Sequence, residues 1–230
     1  MSELTQMGFD CNTDKAYWHR FTDVYSNWFE TKRASATNIL EIGVLHGSSV
    51  RLFEKYFTNA KIDALDIFPK QEHDSERVST FIVDQSDKHQ LQSFATPREG
   101  LYDIILDDGS HRSSDQMLTL TELWSCLKPG GLYVIEDLHT SAPVCNSSSA
   151  NYSVKKWSET GQLESDYLNP DQINALMQSC EKVVWWKRET LPYRCWNCKT
   201  HPSSSTVCGC GIDLINDGNG SITCCITKRT

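Results

Sequence analysis

Five short apolar segments, each with a carboxylate at or near its end and each separated from the next by a helix-length connection, constrain the fold of this chain most strongly. They are NILEIGV (38–44), KIDALDI (61–67), FIVDQSD (81–87), YDIILDD (102–108) and LYVIEDL (132–138). Apolar runs of this length alternating with helical stretches call for an α/β fold, a mostly parallel sheet covered by helices on both faces. Ligands on such sheets bind outside the carboxyl ends of the strands, where the strand order reverses. Every acidic cluster named above falls at such an end.

The flanking segments complete the outline. Residues 13–33 place Trp18, Phe21, Tyr25, Trp28 and Phe29 at helical spacing, which predicts a helix with an aromatic face ahead of the first strand. A helical aromatic stripe is more often core than the lining of a sugar pocket. Ser113 and Gln116 have capping-box spacing, and Lys128-Pro129-Gly130-Gly131 reads as the stop of the same helix. Residues 140–170 are rich in Ser, Asn and Gly and read as a long loop over the carboxyl edge. A helix from about Asp171 to Glu181, the strand VVWWKRE, a cysteine-bearing excursion and the strand SITCCITK follow. The expected organisation is one domain over 1–230: a helical lid at 1–35, a binding core at 36–140, a substrate loop at 141–170, and a C-terminal helix with a cysteine-rich antiparallel strand pair at 171–230.

Composition narrows the function classes. With 230 residues the chain suits one domain, and 22 Lys and Arg against 30 Asp and Glu leave a net charge of −8. That balance disfavours a nucleic-acid partner, whose binding rests on surplus positive charge. No run reaches the roughly 18–20 apolar residues of a membrane span, and the N-terminus lacks a signal-peptide layout, so a cytoplasmic or similarly reducing location is expected. Six of the ten cysteines lie in the last 36 residues, a local cluster rather than a framework for the whole fold.

Two constellations carry chemistry. In the first, Glu41, Gly43, Gly47 and Ser49 form a strand, glycine turn and helix start, and Asp66 ends the next strand. A carboxylate there can bind the hydroxyls of a ribose. With Asp84 and Gln85 ending the third strand, the set suits an adenosine-containing cofactor. Leu45 occupies the middle glycine of a dinucleotide turn, so a cofactor without pyrophosphate, S-adenosylmethionine, fits better. In the second, Asp107, Asp108 and His111 face Glu136 and Asp137 from adjacent strand ends. Acids at strand ends can simply be solvated or cap helices. Gathered this closely they suit a hard cation such as Mg²⁺.

At these residues the chain resembles the class I S-adenosylmethionine-dependent methyltransferases, with their Rossmann-like sheet, over about residues 13–140 and the terminal strand pair. More narrowly, T-D-K followed by His19, E-I-G-V-x-x-G-S-S, Y-D-I-I-L-D-D-G-S-H and L-K-P-G-G-L-Y-V-I-E-D-L-H-T-S look like the metal-dependent sugar O-methyltransferases of macrolide biosynthesis. The resemblance implies methyl transfer to a sugar hydroxyl, with Asp108, Glu136 and Asp137 as metal ligands, His111 as general base, and Asp107 near the cofactor. A register taken from catechol-type enzymes puts the first ligand at Asp107 instead. The resemblance to the sugar enzymes also implies self-association. The rivals are a catechol or phenol O-methyltransferase and a non-catalytic cofactor-binding module. His19 and His139 read either as supports of the metal site or as loop hydrogen-bonders, the second being the commoner case.

The third cluster, Cys195-x-x-Cys198 with Cys208-x-Cys210, matches a structural Zn²⁺ site, with His201 as a substitute ligand. Disulfides, or cysteines used as small apolar residues, are the alternatives. Cys224 and Cys225 are adjacent in a strand and so face opposite sides.

Overall fold

The computed structural model describes residues 1–138, 150–202, 206–214 and 221–230. Seven strands, β1 (Asn38–Ile42), β2 (Lys61–Asp66), β3 (Val78–Ile82), β4 (Tyr102–Asp107), β5 (Leu127–Ile135), β6 (Cys180–Lys187) and β7 (Ile222–Lys228), form one sheet in the order β3-β2-β1-β4-β5-β7-β6. The first five are parallel, and β7 runs antiparallel between β5 and β6. This is the Rossmann-like class I methyltransferase topology that the sequence predicts.

Eight α-helices cover the sheet among the described residues: α1 (Glu3–Asp10), α2 (Asp14–Tyr17), α3 (Phe21–Trp28), α4 (Ser48–Tyr56), α5 (Lys88–Ala95), α6 (Ser113–Leu123), α7 (Ala150–Thr160) and α8 (Pro170–Ser179). Strand alternation splits the core in two. Leu40, Ile42, Ile105, Tyr133, Ile135, Cys224 and Ile226 face a layer built from α5 to α8. Ile39, Ile62, Ile104, Leu106, Val134 and Cys225 face α1, α3 and α4. Both adjacent cysteines of β7 are therefore core, on opposite faces. None of the described helices is long and apolar enough to cross a membrane.

Several local expectations need correction. The helix read over 13–33 is two helices, because Arg20 takes a left-handed backbone at φ 61°. Its guanidinium is held by Asp23 on one side and by Thr190 and the Leu191 carbonyl on the other. Phe21, Tyr25 and Phe29 are nevertheless fully buried, as an aromatic core stripe requires. The capping box at Ser113 does not form: Arg112 is the N-cap, with no side-chain cap bond, and Ser113 already lies inside α6. Lys128–Gly131 belong to β5, in the irregularity where the pairing passes from Tyr102↔Leu127 to Ile104↔Leu132. The preceding helix has already stopped at Leu123, through a 3-10 turn over Trp124–Cys126. β3 ends at Ile82, before the acidic part of FIVDQSD, and residues 150–160 of the expected loop are helical. The rest of that loop's first half, with His139, lies outside the described residues.

Asp103 fastens the amino edge of the sheet. Its Oδ2 accepts from the backbone N–H of Thr37 at 2.8 Å and of Asn38 at 3.1 Å, and from Lys128 Nζ at 2.8 Å. Burial opposes ionisation, but these donors win and hold its carboxyl below the usual range. Asp103→Ala is expected to cost about 1–3 kcal/mol in urea unfolding at neutral pH. Because the folded pKa is depressed, the difference from wild type is present above the unfolded value, about 3.9, and shrinks as pH falls through the folded one.

Candidate active site

The carboxyl ends of β1 and β4 border the point where the strand order reverses, since β1 leads outward to β2 and β4 leads the other way to β5. Gly43 follows β1 at φ 93°, and a Cβ there would lie 2.1 Å from the Asp108 carbonyl oxygen. Only glycine lets the β1 turn pass this close to the loop after β4. Gly47, at φ 66°, starts α4 beneath the ring of His73. Asp66 ties the turn together: Oδ2 accepts from the N–H of Val44 at 3.0 Å and Leu45 at 3.2 Å, and Oδ1 from that of Phe68 at 3.0 Å.

A cavity of about 710 Å³ opens over this turn, within the range of ligand sites. Gly43, Ser49 and Asp66 border it together with Asp108, His111 and Asp137. A smaller cavity of about 170 Å³ adjoins it, bordered by Asp84 and Gln85. Glu41 and Asp107, expected from the sequence to lie against the cofactor, border neither cavity and are fully buried. Asp107 Oδ1 receives Gln85 Nε2 at 3.2 Å, while Gln85 Oε1 accepts from Ser110 N–H, so the pair braces the Asp108–His111 loop from below. Gly109 is needed there because a Cβ would run into Gln85 Oε1 at 1.9 Å. Burial pushes Asp107 up to about 7, against the pull of Gln85 and the Gly109 N–H.

The acidic end holds a cation of its own. Lys15, which the sequence reading noted in the T-D-K motif without assigning it a role, is 2% exposed. Its Nζ donates to Asp108 Oδ2 and, at 2.7 Å, to Glu136 Oε2, with Glu41 Oε1 at 4.0 Å. Burial opposes its charge, but the three acids hold the proton well above the ordinary lysine range. Tyr25, on the aromatic stripe, donates to Glu136 Oε1 at 2.7 Å, so both oxygens of Glu136 are engaged. Glu136 is thus a counter-ion to Lys15 and an acceptor for Tyr25. A signal for Lys15 existed in the sequence: several buried acids at neighbouring strand ends require a partner of opposite charge.

Asp108, His111 and Asp137 offer donor atoms that all lie within 4.8 Å of one another. His111 Nε2 is 3.1 Å from Asp108 Oδ1 and 3.5 Å from Asp137 Oδ2. Burial lowers the imidazole pKa, but the hydrogen bond and charge of Asp108 and the charge of Asp137 outweigh it and push it up to about 9. His111 and Asp137 both sit at positive φ, 59° and 49°, strained positions for non-glycine residues of the kind found at functional sites. Two carboxylates facing a cavity, with the imidazole beside them, fit a divalent cation, and Glu136, which borders the same cavity, is held by Lys15 and Tyr25. His19 borders the same cavity, its Nδ1 3.0 Å from Ser221 Oγ and 3.6 Å from Asp137 Oδ1.

Residues 40–138 match the family model described as Methyltransferase domain. The 8-demethyl-8-alpha-L-rhamnosyl tetracenomycin-C 2'-O-methyltransferase of Streptomyces olivaceus is 38% identical over 136 residues, covering 56% of this chain and 36% of that protein. The mycinamicin VI 2''-O-methyltransferase of Micromonospora griseorubida is 35% identical over 148 residues, covering 61% of this chain and 36% of that protein. Among solved structures, the MycE methyltransferase of the mycinamycin pathway, in complex with Mg and SAH, superposes with a TM-score of 0.67 at 27% identity, covering 80% of this chain and 51% of that one. The chain spans about a third of the length of the curated relatives it matches.

Removing Lys15 strands the buried acids. Lys15→Met is expected to lower stability by about 3–5 kcal/mol in urea unfolding at neutral pH. Glu41 gives a pH signature: burial, only partly offset by Lys15, pushes it up to about 7. The folded state therefore holds a proton that the unfolded chain releases near 4.3, and stability falls as pH rises from there through about 7. Glu41→Gln is expected to flatten that part of the stability–pH curve.

Proposed function

We propose that this chain, a class I methyltransferase by its fold and by the domain at residues 40–138, transfers a methyl group from S-adenosylmethionine to a sugar hydroxyl of a glycosylated natural product. The observation that carries the reading is one cavity bordered both by the glycine turn and Asp66 and by Asp108, His111 and Asp137. The turn after β1 would hold S-adenosylmethionine, with Asp66 placed for its ribose hydroxyls and Asp84 and Gln85 bordering the adjoining space for its adenine. The names of the curated relatives support the acceptor class, since they include methyltransferases of rhamnosyl tetracenomycins and of mycinamicin VI.

The residues divide the work. Asp108 and Asp137, with Glu136 beside them, would hold a divalent cation such as Mg²⁺, and MycE was solved with Mg and SAH. When bound, such a cation lowers the pKa of an acceptor hydroxyl and neutralises the carboxylates around it. His111 Nε2 accepts the hydroxyl proton as the oxygen attacks the methyl carbon, which leaves the sulfur with its electron pair. Asp108 and Asp137 hold a proton on His111 when their charge is uncompensated, so the base is free only once that charge is offset. Lys15 and Tyr25 keep Glu136 fixed, and Lys15 also restrains Asp108. Rate comes largely from holding oxygen and methyl in line at close contact.

Tyr17, His19 and Lys199, which also border the cavity, offer hydrogen-bonding groups, which suits a sugar better than a flat catechol. Calorimetric titration with S-adenosylmethionine, paired with transfer assays on rhamnosylated and catechol acceptors, tests the reading. His111→Ala and Asp108→Ala are expected to keep cofactor binding, with transfer down about 10²–10⁴-fold in His111→Ala. EDTA is expected to abolish transfer and Mg²⁺ to restore it. Undiminished transfer in the chelator would remove the cation from the mechanism, and a preference for catechols would replace the sugar.

A further inference from the structure

We propose that Cys195, Cys198, Cys208 and Cys210 bind one zinc ion as a closed tetrahedral thiolate site, and that this ion fixes the wall of the cavity formed by Tyr17 and Lys199. The excursion carrying these residues joins β6 to β7 and lies outside the matched domain at 40–138.

The geometry favours an ion over disulfides. The four Sγ atoms lie within 4.8 Å of one another, and all four cysteines are free thiols. Cys198 Sγ is 3.3 Å from Cys208 Sγ, and Cys195 Sγ is 3.7 Å from Cys210 Sγ. A zinc tetrahedron with bonds of about 2.3 Å has sulfur–sulfur edges of about 3.8 Å, whereas a disulfide needs about 2.0 Å.

The backbone has the matching form. Lys199 N–H closes a turn on the Cys195 carbonyl at 3.0 Å, and Gly211 N–H closes one on the Cys208 carbonyl at 2.8 Å. In both, the residue after the second cysteine is left-handed, Lys199 at φ 60° and Gly211 at φ 89°. The turns aim N–H groups at sulfur: Asn197 and Cys198 at Cys195, Thr200 at Cys198, and Ile212 at Cys210. Such donors stabilise thiolate ligands and orient them. Four thiolates leave no open position, which marks a structural site, and tetrahedral sulfur coordination suits zinc. His201 is not part of the set, since its Nδ1 is 3.0 Å from the Tyr193 carbonyl oxygen.

Packing alone gives this segment little to fold around. Cys195 and Cys208 share a small apolar cluster with Tyr17, Trp18 and Leu214, and the pairing described within the segment is one isolated bridge, Val207↔Asp213. Small units of this kind rely on a metal or another cross-link. The consequence reaches the cavity because Lys199, between the two turns, donates to Tyr17 Oη at 2.7 Å and borders the cavity with it.

The test uses the full chain purified without chelators. One zinc per chain is expected by elemental analysis, released by a mercurial reagent, and Co²⁺ exchanged into the site is expected to show tetrahedral thiolate absorption. Cys198→Ser and Cys210→Ser alter exposed positions, so they should keep the far-ultraviolet circular dichroism and the S-adenosylmethionine affinity while losing zinc. They should also be cleaved faster by protease within 188–221 and show a raised acceptor KM. Asp108→Ala should retain zinc in full, which separates this site from the active-site cation. Two disulfides by mass, four thiols freely alkylated in zinc-free protein, or iron in place of zinc would overturn the site. Zinc loss with unchanged KM and proteolysis would overturn its role in the wall.

Discussion

The ammonium of Lys15 donates to Asp108 and Glu136 and lies 4.0 Å from Glu41, so one buried cation serves acids from the ends of β4, β5 and β1. The geometry of the carboxyl edge depends on it. A parallel sheet whose strands end in acids brings those acids within a few ångströms of one another, in surroundings that penalise charge. Lys15 relieves that penalty from a helix that precedes the sheet in the chain. The N-terminal segment is thereby drawn over the strand ends, and the cavity acquires a roof as well as a floor.

The roof is completed from the other end of the chain. Arg20 reaches Thr190, the Leu191 carbonyl and Tyr193, while Arg194 N–H donates to the Tyr17 carbonyl at 2.9 Å. Arg188, 6% exposed, binds Ser221 Oγ and the Leu214 carbonyl and lies over the Trp18 ring. The glycine turn, Asp66, Asp108, His111 and Asp137 sit within residues 40–138, whereas Lys15, Tyr17, His19 and Lys199 lie outside that domain. The architecture thus separates a cavity floor built by the matched domain from a wall assembled from segments on either side of it.

Strained backbone and buried charge concentrate where these parts meet. His111 and Asp137 are left-handed, and Glu41 and Asp107 are buried carboxyls pushed up to about 7. None of this is required by the apolar packing that buries β1 and β4 on both faces. Such features persist where the surroundings over-determine them, as the Gln85–Asp107–Ser110 network does beneath the DGSH loop.

Local pattern was enough to establish the sheet. Continuous apolar runs such as YDIILDD and LYVIEDL can be buried on both faces only in a covered parallel sheet, and acids at their ends necessarily face the crevice. Asp66, Asp108, His111 and Asp137 were legible for that reason, as was the core role of the aromatic stripe. Boundaries were less so: Arg20 breaks a helix through partners 170 residues away, and Lys128–Gly131 are carried into a strand because β4 pairs Leu127 before them and Leu132 after them. Tertiary structure alone assigned the partners. Glu41 and Asp107 carry the same chemistry in the sequence as Asp66 and Asp108, but burial removes the first two from the cavity. Lys15 sits 121 residues from Glu136 and 93 from Asp108, and no local spacing encodes a contact made only when the chain closes over its own sheet.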